Sequence, residues 1–180
     1  MVIVIDNAFK YESELQQLFL NVWYDDRYKY WMNSSYNQDF EMPKGEGDWR
    51  GRHFVSLDSS GNIVGYVGYE VCRTDDRCCG LGALSFVSGV NVTFAKDLIT
   101  VVDDIFTKFN HRKLNFTCLT ANPAYDMWNR YIQKAGGYEL CVRKSHTKLE
   151  DGLFYDSAEF ELFRDSYLQH RNQFMRRNLK

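Results

Sequence analysis

The sequence predicts an α/β fold: one mixed sheet holding an antiparallel meander and a parallel strand pair, with helices on both faces. Three observations carry this. Between residues 53 and 88, strand-like segments are separated only by short turn-rich runs, the pattern of a meander. The hydrophobic period then becomes helical over Phe94 to Phe109 and returns to alternation at Leu114. A strand that reaches the next through one helix runs parallel to it, so this switch sets a parallel pair inside an otherwise antiparallel sheet.

The chain opens on a short apolar strand, Val2 to Ile5. Tyr11, Leu15, Leu18, Phe19, Val22 and Trp23 then fall on one helical stripe. A second short helix is expected around Asp26 to Met32, inside the aromatic run "VWYDDRYKYWMNSSYNQDF", before the chain loosens into a loop or lid over 33–52. Strands follow at His53 to Leu57, Ile63 to Cys72 and Leu81 to Ser88, joined by "DSSGN" and "RTDDRCCG". In the helix that comes next, Lys96, Asp97, Asp103, Asp104 and Lys108 are placed on the polar, outward face. Leu114, Phe116 and Cys118 mark a strand, and Ala124, Met127, Trp128, Tyr131, Ile132 and Ala135 a helix stopped by Gly136-Gly137. Tyr138 to Arg143 and Tyr155 to Phe163 close the sheet around an Asp-Gly turn, and a helical tail, 165–180, ends in Arg171, Arg176, Arg177 and Lys180. With 180 residues, the whole of 1–180 reads as a single domain with one core.

Charge and cysteine content narrow the classes of function. The 22 basic and 24 acidic side chains leave a net charge of −2, so no general field recruits nucleic acid or an anionic membrane, and neither is expected as a partner. Five cysteines, without Cys-x-x-Cys or Cys/His spacing, argue against a zinc site and a disulfide framework; no metal is expected. The chain reads as reduced and cytoplasmic. "MVIVIDNAF" lacks a basic start, and no run approaches the roughly 20 apolar residues of a membrane span.

Two segments, "LTANPAYDMWNRYIQKAGGYEL" and "DGLFYDSAEFELFRDSY", together with the order of elements from His53 to Tyr167, resemble the GNAT superfamily of acyl-CoA-dependent N-acyltransferases. This sequence is similar to a divergent member. The resemblance implies that the parallel pair splays apart and that the pantetheine arm of acetyl-CoA, the co-substrate, lies in the gap. Phe86, Val87, Ser88 and Gly89 would form the splayed edge. The family's next motif, Arg/Gln-x-x-Gly-x-Gly/Ala, is degenerate here: Val90 stands at its first position and Thr93 where a glycine belongs. What remains is the helix N-terminus, whose free N–H groups attract anions whatever the sequence. Asn91 and Thr93 either assist a phosphate there or cap the helix. No Lys or Arg lies between Arg77 and Lys96, so positive charge for a diphosphate would have to arrive from a distant residue.

Further candidates come partly from the resemblance and partly from the residues themselves. Asn122 matches an asparagine near the pantetheine and, followed by Pro123, is equally a helix start. Tyr131 is the nearest match to the tyrosine that protonates the leaving thiolate, although the segment is longer than the family's, and it also sits on an apolar stripe. Glu70, the only carboxylate in "VGYVGYEV", is a candidate general base or simply a solvent-facing side chain. His53 and His146 lack motif partners and read as ordinary polar residues, and Cys78-Cys79 falls in a predicted turn. The aromatic run from Trp23 to Tyr36, with Asp25 and Asp26, would wall an acceptor groove or tuck into the core. The implied activity is transfer of an acetyl group from acetyl-CoA to an amine of a small molecule or protein, with a homodimer as an assembly compatible with it. The alternative is a catalytically inactive GNAT-like scaffold that binds or assembles.

Overall fold

The computed structural model describes residues 5–23, 25–31 and 50–178. Seven strands form one sheet in the order β1-β2-β3-β4-β5-β7-β6. They are β1 (Ile5–Asn7), β2 (Gly51–Leu57), β3 (Ile63–Cys72), β4 (Arg77–Ser85), β5 (Lys113–Leu119), β6 (Tyr138–Lys148) and β7 (Phe154–Phe163). All neighbours pair antiparallel except β4 and β5, which are parallel. The α-helices are α1 (Glu12–Trp23), α2 (Val92–Thr107), α3 (Tyr125–Lys134) and α4 (Arg164–Asn178). The mixed sheet and its single parallel pair are those the sequence predicts.

Several boundaries differ. The meander's third strand begins at Arg77 and ends at Ser85, not Leu81 to Ser88, because Asp76 takes a positive φ of 50° and tightens the preceding turn. Cys78 and Cys79 therefore stand in a strand, with Cys78 fully buried. The helix expected over Asp26 to Met32 is one 3-10 turn, Asp26–Tyr28, followed by a turn to Trp31. β1 spans Ile5–Asn7, and Val2 to Val4 lie outside the described residues, as do Met32, the expected end of that helix, and 33–49 of the expected loop or lid. β6 runs on to Lys148, with Ser145 at a φ of 46° absorbing an irregularity in its pairing with β7.

Alternation sends successive side chains to opposite faces, and each face has its own core. Val67, Tyr69, Cys78, Leu81, Leu114, Phe116, Phe160 and Leu162 pack against α2, α3 and α4. Val55, Leu57, Tyr66 and Leu84 pack against Leu15, Phe19 and Val22 of α1. α2 lies close to the sheet at its first turn, where the Phe94 ring occupies the space a side chain would need at Gly65.

Two aspartates assigned to the outer face of α2 are instead inside. Asp103 receives Arg171 Nε at 2.6 Å and Nη2 at 2.8 Å, and the Tyr167 hydroxyl at 2.7 Å, so it latches α4 onto α2. Desolvation pushes its carboxyl up, but the Arg171 and Tyr167 hydrogen bonds outweigh that and hold it below the ordinary value. Asp97, 1 % exposed, accepts a hydrogen bond from Ser56, while its Oδ1 is buried without a hydrogen-bond partner among the described residues. Burial raises its pKa, with the Ser56 bond a partial offset. Amphipathic spacing marked both as surface; a buried partner on another element outweighed it.

Two stability predictions follow from these aspartates. A carboxyl raised in the folded state contributes stability that is present below the unfolded pKa and lost as pH rises through the folded one. Asp97→Asn should accordingly raise stability at pH 7 by about 1 kcal/mol and have no advantage near pH 3, as read by urea denaturation. Arg171→Met, which leaves Asp103 buried with its charge uncompensated, should cost about 2–3 kcal/mol at pH 7. Because Asp103 is lowered, that cost should shrink as pH falls through its folded pKa.

Candidate active site

The site begins where a ladder stops. β4 and β5 pair only at Arg77–Lys113, Cys78–Leu114 and Cys79–Asn115, yet β4 continues to Ser85 and β5 to Leu119 with no further register between them. At that point β4 carries an extra residue: Gly68 faces Gly82 and Glu70 faces Cys79, so two steps on β3 span three on β4. Gly80, at a φ of 63°, supplies the left-handed conformation a bulge of this kind uses. The bulge turns β4 away, and the facing N–H and C=O groups beyond it have no strand partner across the gap.

α2 begins at the mouth of this gap. Asn91 Oδ1 accepts from the Phe94 amide at 3.1 Å, while its Nδ2 donates to the Val64 carbonyl at 2.9 Å and to Ser85 Oγ at 3.1 Å. The cap thereby fixes α2 to the ends of β3 and β4. On the other side of the mouth, Asn122 Oδ1 accepts from the Ala124 amide at 2.9 Å and so turns the chain into α3.

Residues 25–31 cross the mouth as a strap. Tyr28 Oη donates to the Ser85 carbonyl at 3.0 Å, and Arg27, gripped by Asp25, donates to Ser88 Oγ. These contacts hold the β4 side. Toward the β7 side, Lys29 Nζ reaches Asp151 Oδ2 at 3.1 Å and Tyr155 Oη at 3.3 Å, while Tyr30 meets the Tyr155 ring edge-on at 5.8 Å. Hydrogen bonds from Tyr155 and the Leu153 amide, with Lys29 adding to them, bring the Asp151 carboxyl down to about 2. A cavity of about 330 Å³ lies between the end of α1, the strap and the turn before β7, with Asp25, Asp26, Glu150 and Asp151 on its walls.

The expected residues are distributed unevenly around this mouth. Phe86 to Gly89 lie just past the end of β4, in the loop to α2: the Phe86 amide still donates to the Val64 carbonyl at 3.0 Å, Val87 is exposed, and Gly89 has a φ of 81°. Thr93 lies inside the first turn of α2, and Asn91 is the cap. Glu70 is exposed beside Cys79, at the closed end of the gap. The Tyr131 ring packs edge-on against Phe174 at 4.7 Å and Trp128 at 5.9 Å, and its hydroxyl is buried with no hydrogen-bond partner among the described residues. Burial pushes that phenol well above its ordinary value. Burial likewise raises the Cys78 thiol to about 12, which removes it as a nucleophile near neutral pH. Sequence reading missed Arg27, the distant cation brought to the loop after β4. No local signal marks it, since 61 residues separate it from Ser88.

No protein-family model matches the sequence, and no curated protein does. Solved structures do resemble the fold. Spermidine N-acetyltransferase SpeG from Vibrio cholerae, in complex with CoA and spermine, is 18% identical with a TM-score of 0.68, over 92% of this chain and 98% of that one. A chimera of the Vibrio cholerae enzyme and hSSAT reaches a TM-score of 0.71 at 18% identity over 92% and 98% of the two chains. A dodecameric form of the Vibrio cholerae enzyme is 22% identical over 67% of this chain and 69% of that one, with a TM-score of 0.58. These are GNAT superfamily structures, so the fold expected from the sequence resemblance is the fold observed.

If the strap is held across the mouth by Lys29, Lys29→Met should increase amide hydrogen exchange in residues 25–31 at least fivefold. Global stability should change by less than about 1 kcal/mol, because the ion pair is half-exposed. Unchanged exchange would mean that the β4-side contacts hold the strap alone.

Proposed function

We propose that the protein transfers an acetyl group from acetyl-CoA to a primary amine of a small molecule or protein. The observation that supports this best is the ladder between β4 and β5 that stops after Cys79 and Asn115 while both strands run on. An amide-bearing ligand inserted there can satisfy backbone groups that lack a strand partner. In this reading the pantetheine arm follows the free edge of β4 toward Phe86, Val87, Ser88 and Gly89, with Asn122 beside it. The diphosphate takes the first N–H groups of α2, near Asn91 and Thr93, and the Arg27 guanidinium supplies the charge that the degenerate motif lacks. Backbone N–H groups past the bulge are placed to steady the developing oxyanion.

The acceptor enters beside the strap, past the acidic side chains of the cavity at Asp25, Asp26, Glu150 and Asp151. Because one structural neighbour is a spermidine N-acetyltransferase with CoA and spermine bound, an aliphatic polyamine is the first acceptor to test. The role of Tyr131 as general acid rests on the sequence resemblance, and that of Glu70 as general base on its being the only carboxylate in its strand, beside aromatic residues; neither residue's contacts bring it to the open end of the gap. A homodimer or larger assembly belongs to the same proposal, with the dodecameric neighbour as its support. The second reading, an inactive scaffold, is favoured by the loss of the glycine motif and by the Tyr131 hydroxyl lying between α3 and α4.

Thermal unfolding with acetyl-CoA separates the two. At one hundred times the dissociation constant, binding stabilises by about 2.7 kcal/mol, a shift of several degrees. Arg27→Met should weaken acetyl-CoA binding about tenfold, measured by calorimetry, while leaving the apo melting temperature within about two degrees. No shift of the wild-type protein at millimolar acetyl-CoA would favour the scaffold.

A further inference from the structure

His53 has no motif partner in the sequence, and the register supplies a structural one. His53 on β2 faces Gly68 on β3, and Gly68 faces Gly82 on β4, which makes a cross-strand row on the α1 side of the sheet. Tyr66 lies on the same face, two residues before Gly68. Its ring folds along the strand so that Oη comes within 2.6 Å of His53 Nδ1. Gly68 permits this: a Cβ there would fall 2.6 Å from Tyr66 Oη and 2.9 Å from His53 Nδ1. At Gly82, the next member of the row, an added Cβ would meet only Trp31 Nε1, at 4.0 Å, among the described residues. Gly82 also lies just beyond the bulge, where the β4–β5 ladder has ended. A floor without side chains thus runs from the Tyr66–His53 pair to the open gap, while Glu70 and Cys79 stand on the far side of the bulge.

We propose that Tyr66 and His53 form a proton relay that deprotonates the acceptor ammonium, Tyr66 contacting the amine above Gly82 and His53 acting through Tyr66 as its positioning partner and proton sink. This deepens the acyl-transfer reading and rests on it. Burial keeps the Tyr66 phenol protonated at neutral pH; in the relay its O–H donates to His53 Nδ1, with the imidazole proton on Nε2. In the step itself, an ammonium N–H bond breaks and its proton goes to Tyr66 Oη as the Tyr66 proton passes to Nδ1. The amine keeps the electron pair and attacks the thioester carbonyl; the C–N bond forms and the C–S bond breaks. The second nitrogen proton leaves with the CoA thiolate as thiol, and the His53 imidazolium returns its proton to water. Two protons leave nitrogen, and both are accounted for.

The test uses the full chain, with acetyl-CoA and spermidine or another primary amine that the wild type acetylates. Tyr66→Phe and His53→Gln should each lower kcat ten- to a hundredfold, with KM for both substrates within threefold and acetyl-CoA binding unchanged. The double variant should be no slower than the slower single one, because both residues serve one path. Changes in kcat below twofold, or losses that multiply in the double variant, would overturn the relay and leave acyl transfer standing. A wild type that neither binds acetyl-CoA nor turns over would remove the acyl-transfer reading, and the relay with it. Should Tyr66→Phe not fold, His53→Ala with added imidazole decides: recovery of kcat supports the relay and no recovery opposes it. Independently of activity, the nitrogen-15 signals of His53 should report a neutral ring protonated on Nε2 in the wild type. A proton on Nδ1 would sink the proposal.

Discussion

The arrangement depends on one constraint: a sheet that pairs everywhere else leaves two adjacent parallel strands unpaired over their carboxyl halves. Buried N–H and C=O groups without partners are costly, of order 1–3 kcal/mol each, so such a gap persists only where water or a ligand serves it and the surrounding structure holds it open. Here the hold is local and covalent in origin. Gly80 turns β4 at the last rung, and the added residue changes which side chains face each way. β5 cannot follow, because its other edge is paired in unbroken register from Lys113–Phe163 to Leu119–Ser157 with β7.

The elements around the gap are fixed from both sides. Asn91 uses both its side-chain oxygen and its nitrogen to join the start of α2 to β3 and β4. The strap at 25–31 uses Tyr28 and Arg27 toward β4 and Lys29 toward Asp151 and Tyr155. These contacts differ in strength. The Asn91 network is half-buried and neutral, whereas the Lys29–Asp151 pair is half-exposed and screened by salt. The mouth therefore has a rigid wall and a looser cover, an asymmetry that would suit the two-substrate reaction proposed above.

Much of the fold was legible because apolar spacing reports burial directly. The period switch between Phe94 and Leu114, and the Gly136-Gly137 stop, located α2, β5 and the end of α3 from sequence. Reading failed where a polar residue owes its place to a distant partner. Asp103 lies on the nominal outer face of α2, yet Arg171 and Tyr167 draw it inside. Arg27 reaches Ser88 only because the strap doubles back over β4. His53 and Tyr66 are 13 residues apart, and their meeting follows from a hairpin register that no local pattern specifies. The start of β4 was misplaced for a related reason: the sharp bend at Asp76 frees Arg77 to Cys79 to enter the strand, and these residues carry every rung of the parallel pairing.

The latch at Asp103 acts far from the mouth, but α2 transmits it. A helix of 16 residues whose first turn is seated on Gly65 and whose later turns are bolted to α4 behaves as a stiff rod, unable to rock when an anion arrives at its amino end. Contacts within the chain aim its dipole, so the proposed capture of an acyl-CoA diphosphate would surrender little ordering entropy. Under the acyl-transfer proposal, the carboxyl-terminal helix, remote from the mouth, would be an indirect determinant of how tightly the phosphates of the co-substrate are held.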